Sequence, residues 1–149
     1  MIEIGNILSE LSKERPVFHC EADFQHALAW KIHEEYPSLS MRLEKKLVLD
    51  TEQIYVDIFA FEDNRVLAIE LGYKTRELNI EVIGEEFNLT FDRAQDQGRY
   101  DFIEDISRLE RALVTYHGWR RICHSTHKRS PLLGKTQNYR CSGQGFQNP

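Results

Sequence analysis

Apolar positions near the start of the chain recur with a helical period. Ile4, Ile7, Leu8 and Leu11 fill one face of a short helix that Pro16 ends. A second helix is predicted from about Glu21 to Glu35, where Phe24, Leu28 and Ile32 recur every four residues. On it Glu21, Gln25, Leu28 and Ile32 share a face, so an acid is aimed inward. Glu21 also falls in the first helical turn, where negative charge favours the macrodipole, and that purely structural explanation stands beside a functional one. Tyr36, Pro37 and Ser38 break the helix. The period then changes to two, and Met41 to Leu49 reads as a first strand with Arg42 and Glu44 pointing opposite to Leu43. Lys45 and Lys46 form a small basic patch of the kind a solvated edge carries.

The next stretch, Ile54 to Lys74, holds two apolar runs, IYVDIFAF and VLAIEL, around Glu62, Asp63, Asn64 and Arg65. Runs rich in Ile, Val, Phe and Tyr on either side of a turn signal predict two buried strands joined in a hairpin. With Asp63 and Asn64 as the loop, both tolerant of positive φ, antiparallel partners have numbers that add to 127, which sets Asp57 opposite Glu70. Like charges facing each other on a sheet are destabilising, and a buried unpaired carboxylate costs several kcal/mol. A hard divalent cation held by both, its shell completed by water, removes that cost and suits Mg²⁺. The alternative is that each carboxylate meets its own Lys, Arg or backbone donor, and a one-residue bulge would separate the pair.

Beyond the hairpin, NIEVIGEEFNLTF contains two short runs split by Gly84, a second hairpin that extends the sheet or stands off it. In QDQGRYDFIEDISRLERALVTY, Phe102, Ile106, Leu109 and Leu113 mark one side of a long helix. Arg99, with Gln95 and Tyr100 of the same segment, is a candidate nucleic-acid contact. Arg108 and Arg111 are expected to pair with neighbouring acids among Asp101, Glu104, Asp105 and Glu110. His26 and His33 lie a heptad apart without a ligand-spaced partner and read as surface residues.

Composition changes this picture little. A chain of 149 residues, 41% apolar and 29% charged, suits one globular unit with a real core. A net charge of -5 argues against a broad non-specific nucleic-acid surface, though not against a nuclease. No apolar run reaches about 18 residues and no signal peptide is evident, so no membrane contact and a cytoplasmic location are expected. Cys20, Cys123 and Cys141, an odd number at unrelated spacings, fit reduced thiols.

An inward acid on a helix, then a strand, then a hairpin with one Asp and one Glu, then a helix, resembles the PD-(D/E)xK nuclease superfamily. The matching pieces are EADFQ from Glu21 to Gln25, YVDI from Tyr55 to Ile58, AIELGYKTR from Ala68 to Arg76 and QDQGRYDF from Gln95 to Phe102. The resemblance spans residues 17 to about 118, and it is closest to prokaryotic proteins of restriction-endonuclease type. It implies an α/β fold with an αβββαβ core, a mixed central sheet flanked by helices, and Mg²⁺-dependent hydrolysis of DNA, with Mn²⁺ as a substitute metal. Asp57 and Glu70 would be the metal ligands, and Glu21 would support the metal or its water. A homodimer would follow the family's habit, although no apolar patch in the sequence argues for one.

Two features depart from the family. Its lysine belongs two residues after Glu70, where this chain has Gly72, and Lys74 on the same strand face lies roughly 6.6 Å further on. A weak or inactive nuclease is one consequence. The resemblance also implies a buried last strand after the long helix, yet from Arg120 the sequence has no apolar periodicity. The expected division is therefore a nuclease-like domain over 1–118 and an irregular or disordered tail over 119–149, with the last core strand missing. Synonymous codons read one base out of phase from Arg121 permit GYAILLTNDPLYW, the phrase the family carries there, which suggests a frameshift near Gly118. A zinc site from Cys123, His124, His127 and Cys141 matches no common spacing. The readings open at this point are a metal-dependent DNA nuclease, a non-catalytic descendant binding nucleic acid or protein, and a truncated product without selected function.

Overall fold

The computed structural model describes residues 2–49, 52–75, 77–90, 104 and 106–111, and the backbone of 120–129 and 137–143. Helix α1 (Ile4–Glu14) turns its Ile4, Ile7, Leu8 and Leu11 into the core, and α2 (Glu21–Glu35) buries Phe24, Gln25, Leu28, Ala29 and Ile32. Three antiparallel strands follow, β1 (Ser40–Leu49), β2 (Glu52–Glu62) and β3 (Arg65–Lys74). The pairs between β2 and β3 run from Glu62↔Arg65 to Ile58↔Ile69, the register expected from an Asp63–Asn64 loop. Only Asp63 of the two takes a left-handed conformation, at φ 48°.

Strands β4 (Leu78–Val82) and β5 (Glu85–Leu89) form a separate two-stranded sheet, so the second hairpin stands off the first. It is seated on Val17 through Phe87 and Leu89. Residues 106–111 are helical, and Leu109 is fully buried against the sheet.

The tail expected to be irregular contains two strands, β6 (Arg120–Arg129) and β7 (Gln137–Gly143). β6 pairs parallel with β3 from Arg65↔Arg120 to Lys74↔Arg129, and β7 closes the sheet antiparallel to β6. Apolar period misses such a strand because the ladder joins backbone groups, which every residue but proline supplies whatever its side chain. The large sheet is therefore mixed, with order β1-β2-β3-β6-β7, and the fold is mixed α/β. Among the described residues no helix is long and apolar enough to cross a membrane.

The core has two sides. Ile58 and Ala60 of β2, with Leu67, Ile69, Leu71 and Tyr73 of β3, pack under α1 and α2. Ile54, Val56 and Phe59, with Val66, Ala68, Leu47 and Leu109, pack on the opposite face. Val56 and Ile58 lie on different faces although they are two apart, so the two-residue alternation of β2 slips at Asp57. The same slip occurs across the ladder. Glu44 stands between the pairs Leu43↔Ile58 and Lys45↔Val56 and is itself unpaired, at φ 49°. Outside the core, Trp30, His26, Ala29, His33, Met41 and Leu43 line a shallow apolar groove between α2 and β1, with both histidines at the surface as expected.

The tip of the small hairpin is strained. Ile83 and Gly84 both have positive φ, 54° and 78°, between the paired Val82 and Glu85. A turn with two left-handed residues favours Asn-Gly, and a β-branched residue pays for its Cβ there. Ile83 is also 86% exposed and so gains almost nothing from packing. Ile83→Asn is expected to raise unfolding stability by about 1 kcal/mol in urea titration; an unchanged or lowered midpoint would refute the strain.

Candidate functional site

The ladder between β2 and β3 stops at Ile58↔Ile69, and beyond that point the two strands part. Backbone N–H groups of alternate residues point to the same edge of a strand, so Leu71 and Tyr73 lose their β2 acceptors together. Two acids replace them. Asp57 Oδ2 accepts the Leu71 N–H at 2.6 Å, and Glu21 Oε2 accepts the Tyr73 N–H at 2.8 Å. A buried N–H left without an acceptor costs about 1–3 kcal/mol, so both acids have a structural task.

Glu21 reaches β3 because the start of α2 is fixed at several points. Asp23, in the first turn, accepts the His19 N–H at 3.0 Å and holds Arg15 through both oxygens, at 3.0 and 3.1 Å. The Tyr73 hydroxyl accepts the Phe18 N–H and donates to the Phe18 carbonyl, both at 3.0 Å. The rings of Phe18, Phe24 and Tyr73 pack with centroids 5.1–5.9 Å apart. Tyr73 thus binds the preceding loop with its hydroxyl and Glu21 with its amide. Burial holds its phenol above the usual pKa.

Gln25, one turn into α2 and buried, ties the helix to the slip in the sheet. Its Nε2 donates to Glu44 Oε1 at 2.7 Å and to the Asp57 carbonyl at 2.8 Å. Glu70 is 8% exposed and hydrogen-bonds with the Asp57 side chain. Two carboxyl groups in contact need a proton or a cation between them. Burial pushes the Asp57 carboxyl up to about 6, against the Leu71 and Glu70 hydrogen bonds, and the charges of Glu21 and Glu44 add to the rise.

The structure therefore brings Glu21, Asp57 and Glu70 to one fork, where Asp57 and Glu70 meet through their side chains just beyond the last paired residues, Ile58↔Ile69. It adds Glu44 and Gln25. Glu44 was legible only as a strand residue opposed to Leu43. Its proximity to Asp57 follows from the β1–β2 register, which the apolar pattern of the sequence does not supply. Gln25 shares the Glu21 face, and its burial was the available signal. Gly72 is buried in β3, and the backbone of Lys74 ends that strand. The Lys74 side chain and the segment with Gln95, Arg99 and Tyr100 lie outside the described residues. Arg111 donates to Glu52 at 3.1 Å, a partner on β2 and not one of the helix acids expected. The β6–β7 register sets Cys123 opposite Cys141, with His127 roughly 13 Å further along the strand.

Oxygen donors of this kind suit a hard cation. Among the described residues no three His, Cys, Asp or Glu side chains are gathered closely enough to enclose a metal by themselves. Two carboxylates completed by water, the usual Mg²⁺ arrangement, is the set that the Asp57–Glu70 pair fits.

The raised Asp57 pKa fixes the sign of a pH effect. Between about 4, where an unfolded Asp titrates, and about 6, the folded chain holds a proton that the unfolded chain has released, so stability falls as pH rises through that window. Asp57→Asn keeps an acceptor for the Leu71 N–H and removes the charge. It is expected to raise stability at pH 7 by on the order of 1–2 kcal/mol, discounted for the water that reaches the group. It should also flatten the pH dependence between 4 and 6. Urea titrations across that range check both, and a destabilised Asn variant would count against the shared proton. No protein-family model matches this sequence, and neither a curated protein nor a solved structure matches it.

Proposed function

We propose that the chain is a metal-dependent phosphodiesterase acting on DNA, built on a restriction-endonuclease-like core of the PD-(D/E)xK type. The observation that carries this reading is the contact between the Asp57 and Glu70 carboxyl groups where β2 and β3 part. It is supported by the order of elements around the fork. Helix α2, strands β1 to β3, the helical residues 106–111 and then β6 parallel to β3 follow the αβββαβ sequence that the motifs imply.

In this reading Asp57 and Glu70 hold Mg²⁺ or Mn²⁺. The chemistry such an ion supplies is a bound water of lowered pKa and neutralisation of charge on the scissile phosphate. The chain's own residues do the positioning. The Leu71 N–H fixes one Asp57 oxygen, Gln25 fixes Glu44 and the Asp57 carbonyl, and Glu21 is held against β3 by the Tyr73 amide. What the site lacks is a cation at residue 72 to orient the attacking water. The loss of one preorganised donor at a developing charge typically costs about 10²–10³ in rate. Gly72 thereby favours a second reading, a non-catalytic descendant that keeps the fold and binds nucleic acid or a protein partner.

Incubation with supercoiled plasmid and Mg²⁺ or Mn²⁺ tests the proposal. The native chain is expected to nick slowly or not at all, Asp57→Ala to be inert, and Gly72→Lys to cut about 10²-fold faster than the native chain. Circular dichroism establishes that each variant is folded. A folded Gly72→Lys protein that leaves the plasmid intact would exclude catalysis.

A further inference from the structure

Gly72 gives the fork no positive charge, and sheet face decides which of the described cations stands near enough to supply one. On β3, Leu67, Ile69, Leu71 and Tyr73 pack under the helices, while Val66 and Ala68 pack on the Leu109 side. Alternation along the strand therefore sets Glu70 and Gly72 on the Leu109 side as well. On the outer strand β1, Lys46 pairs with Tyr55, whose neighbours Ile54 and Val56 face Leu109, so Lys46 stands on the helix side. Arg42 and Lys45 pair with Phe59 and Val56 and stand on the Leu109 side, the face of Glu70.

Of these two, Arg42 is directed away from the fork. Its guanidinium lies 5.8 Å from the centre of the Phe61 ring, and it donates to the Met41 carbonyl. Lys45 pairs with the residue before Asp57, and its Nζ lies 5.9 Å from the centre of the Phe59 ring, two residues after Asp57. Asp57 falls between these two points of β2. Across the ladder Phe59 pairs with Ala68, and Glu70 is the next residue on that face of β3, roughly 6.6 Å further on. Lysine carries its charge on a flexible four-carbon stem, so a swing of the side chain brings the ammonium group toward the Asp57–Glu70 gap. Lys45 also has no acid of its own. Among the described residues it forms no ion pair, whereas Arg15, Lys31 and Arg111 are matched with Asp23, Glu14 and Glu52. Cover for the Phe59 ring explains the stem of Lys45 but not its charge, since an apolar side chain would cover the ring as well.

We propose that Lys45 is the catalytic cation of the fork. Its ammonium group, reaching in from the outer strand, orients the attacking water and offsets charge on the scissile phosphate, the task that a cationic side chain at 72 would perform. The inference rests on reading the fork as a phosphodiesterase site. In that reaction the water oxygen bonds to phosphorus as the P–O ester bond breaks, the water releases one proton to solvent, and the departing oxygen takes one up. Lys45 contributes charge and exchanges no proton. A charge carried on a long stem from a neighbouring strand is less preorganised than one fixed beside Glu70, so the native reaction is slow.

A double-mutant cycle of plasmid nicking in Mg²⁺ or Mn²⁺ tests the assignment, with circular dichroism to establish that each variant is folded. A preorganised donor is worth about 10²–10³ in rate, and Gly72→Lys is expected to regain about 10², so Lys45→Ala should slow the native chain about 10-fold. Lys45→Met, which keeps an apolar stem over Phe59, should lose as much. In the Gly72→Lys chain, which carries its own cation, the same changes should cost less, because the two charges serve one task. A packing role alone predicts equal losses in both backgrounds and almost none for Lys45→Met, and either result overturns the assignment. A native chain that cuts nothing while Gly72→Lys cuts also overturns it, and leaves the nuclease reading standing. A folded Gly72→Lys protein that leaves the plasmid intact removes the nuclease reading itself, and the role of Lys45 with it.

Discussion

The parting of β2 from β3 after Ile58↔Ile69 is the constraint around which the structure is arranged. A sheet that opens in its middle leaves a row of amides with no strand to accept them, and water is excluded from most of that row by α2. The chain answers with side chains brought from β2 and from the start of α2, so the helix, the loop before it and the hairpin must all be placed together. Tyr73 shows the coupling most directly, since one residue supplies an amide for Glu21 and a hydroxyl for both backbone groups of Phe18. The slip at Glu44 and Asp57 belongs to the same device. It turns the outer halves of β1 and β2 over, so that Ile54 and Val56 seal the Leu109 side while Ile58 and Ala60 seal the helix side.

Much of this was legible in the sequence because it is carried by local patterns. The period of Ile4, Ile7, Leu8 and Leu11 fixes α1, and the recurrence of Phe24, Leu28 and Ile32 fixes α2. The Asp63–Asn64 turn sets a register that runs to Ile58↔Ile69 and leaves Asp57 and Glu70 one step beyond its end. The rest depended on distance in the chain. Glu44 faces Asp57 only once β1 has been registered against β2, and Glu21 finds Tyr73 across 52 residues. Strand β6 escaped notice because RRICHSTHKR has no apolar period to read, and a parallel partner is recruited through its backbone. Sequence also offered no sign that the α2–β1 groove would gather Trp30, Met41 and Leu43 into one apolar surface, since they come from two elements separated by a break.

The choice of acid over amide carries the last step. Every hydrogen bond that Asp57 and Glu21 accept from β3 would be accepted equally well by the carbonyl of Asn or Gln, at no charge cost. At Gln25, where the task is to donate to Glu44 and to the Asp57 carbonyl, the chain does use an amide, buried and donating from its Nε2 to both. At Asp57 it keeps a carboxylic acid whose ionisation burial opposes, in contact with Glu70 and in the field of Glu21 and Glu44. Hydrogen bonding alone therefore accounts for the position of these side chains but not for their charge. A carboxyl cluster that holds an extra proton is one that a divalent cation would relieve of it, with affinity rising as the pH passes about 6. The charge that makes the fork costly is the same charge that would let it hold a cation.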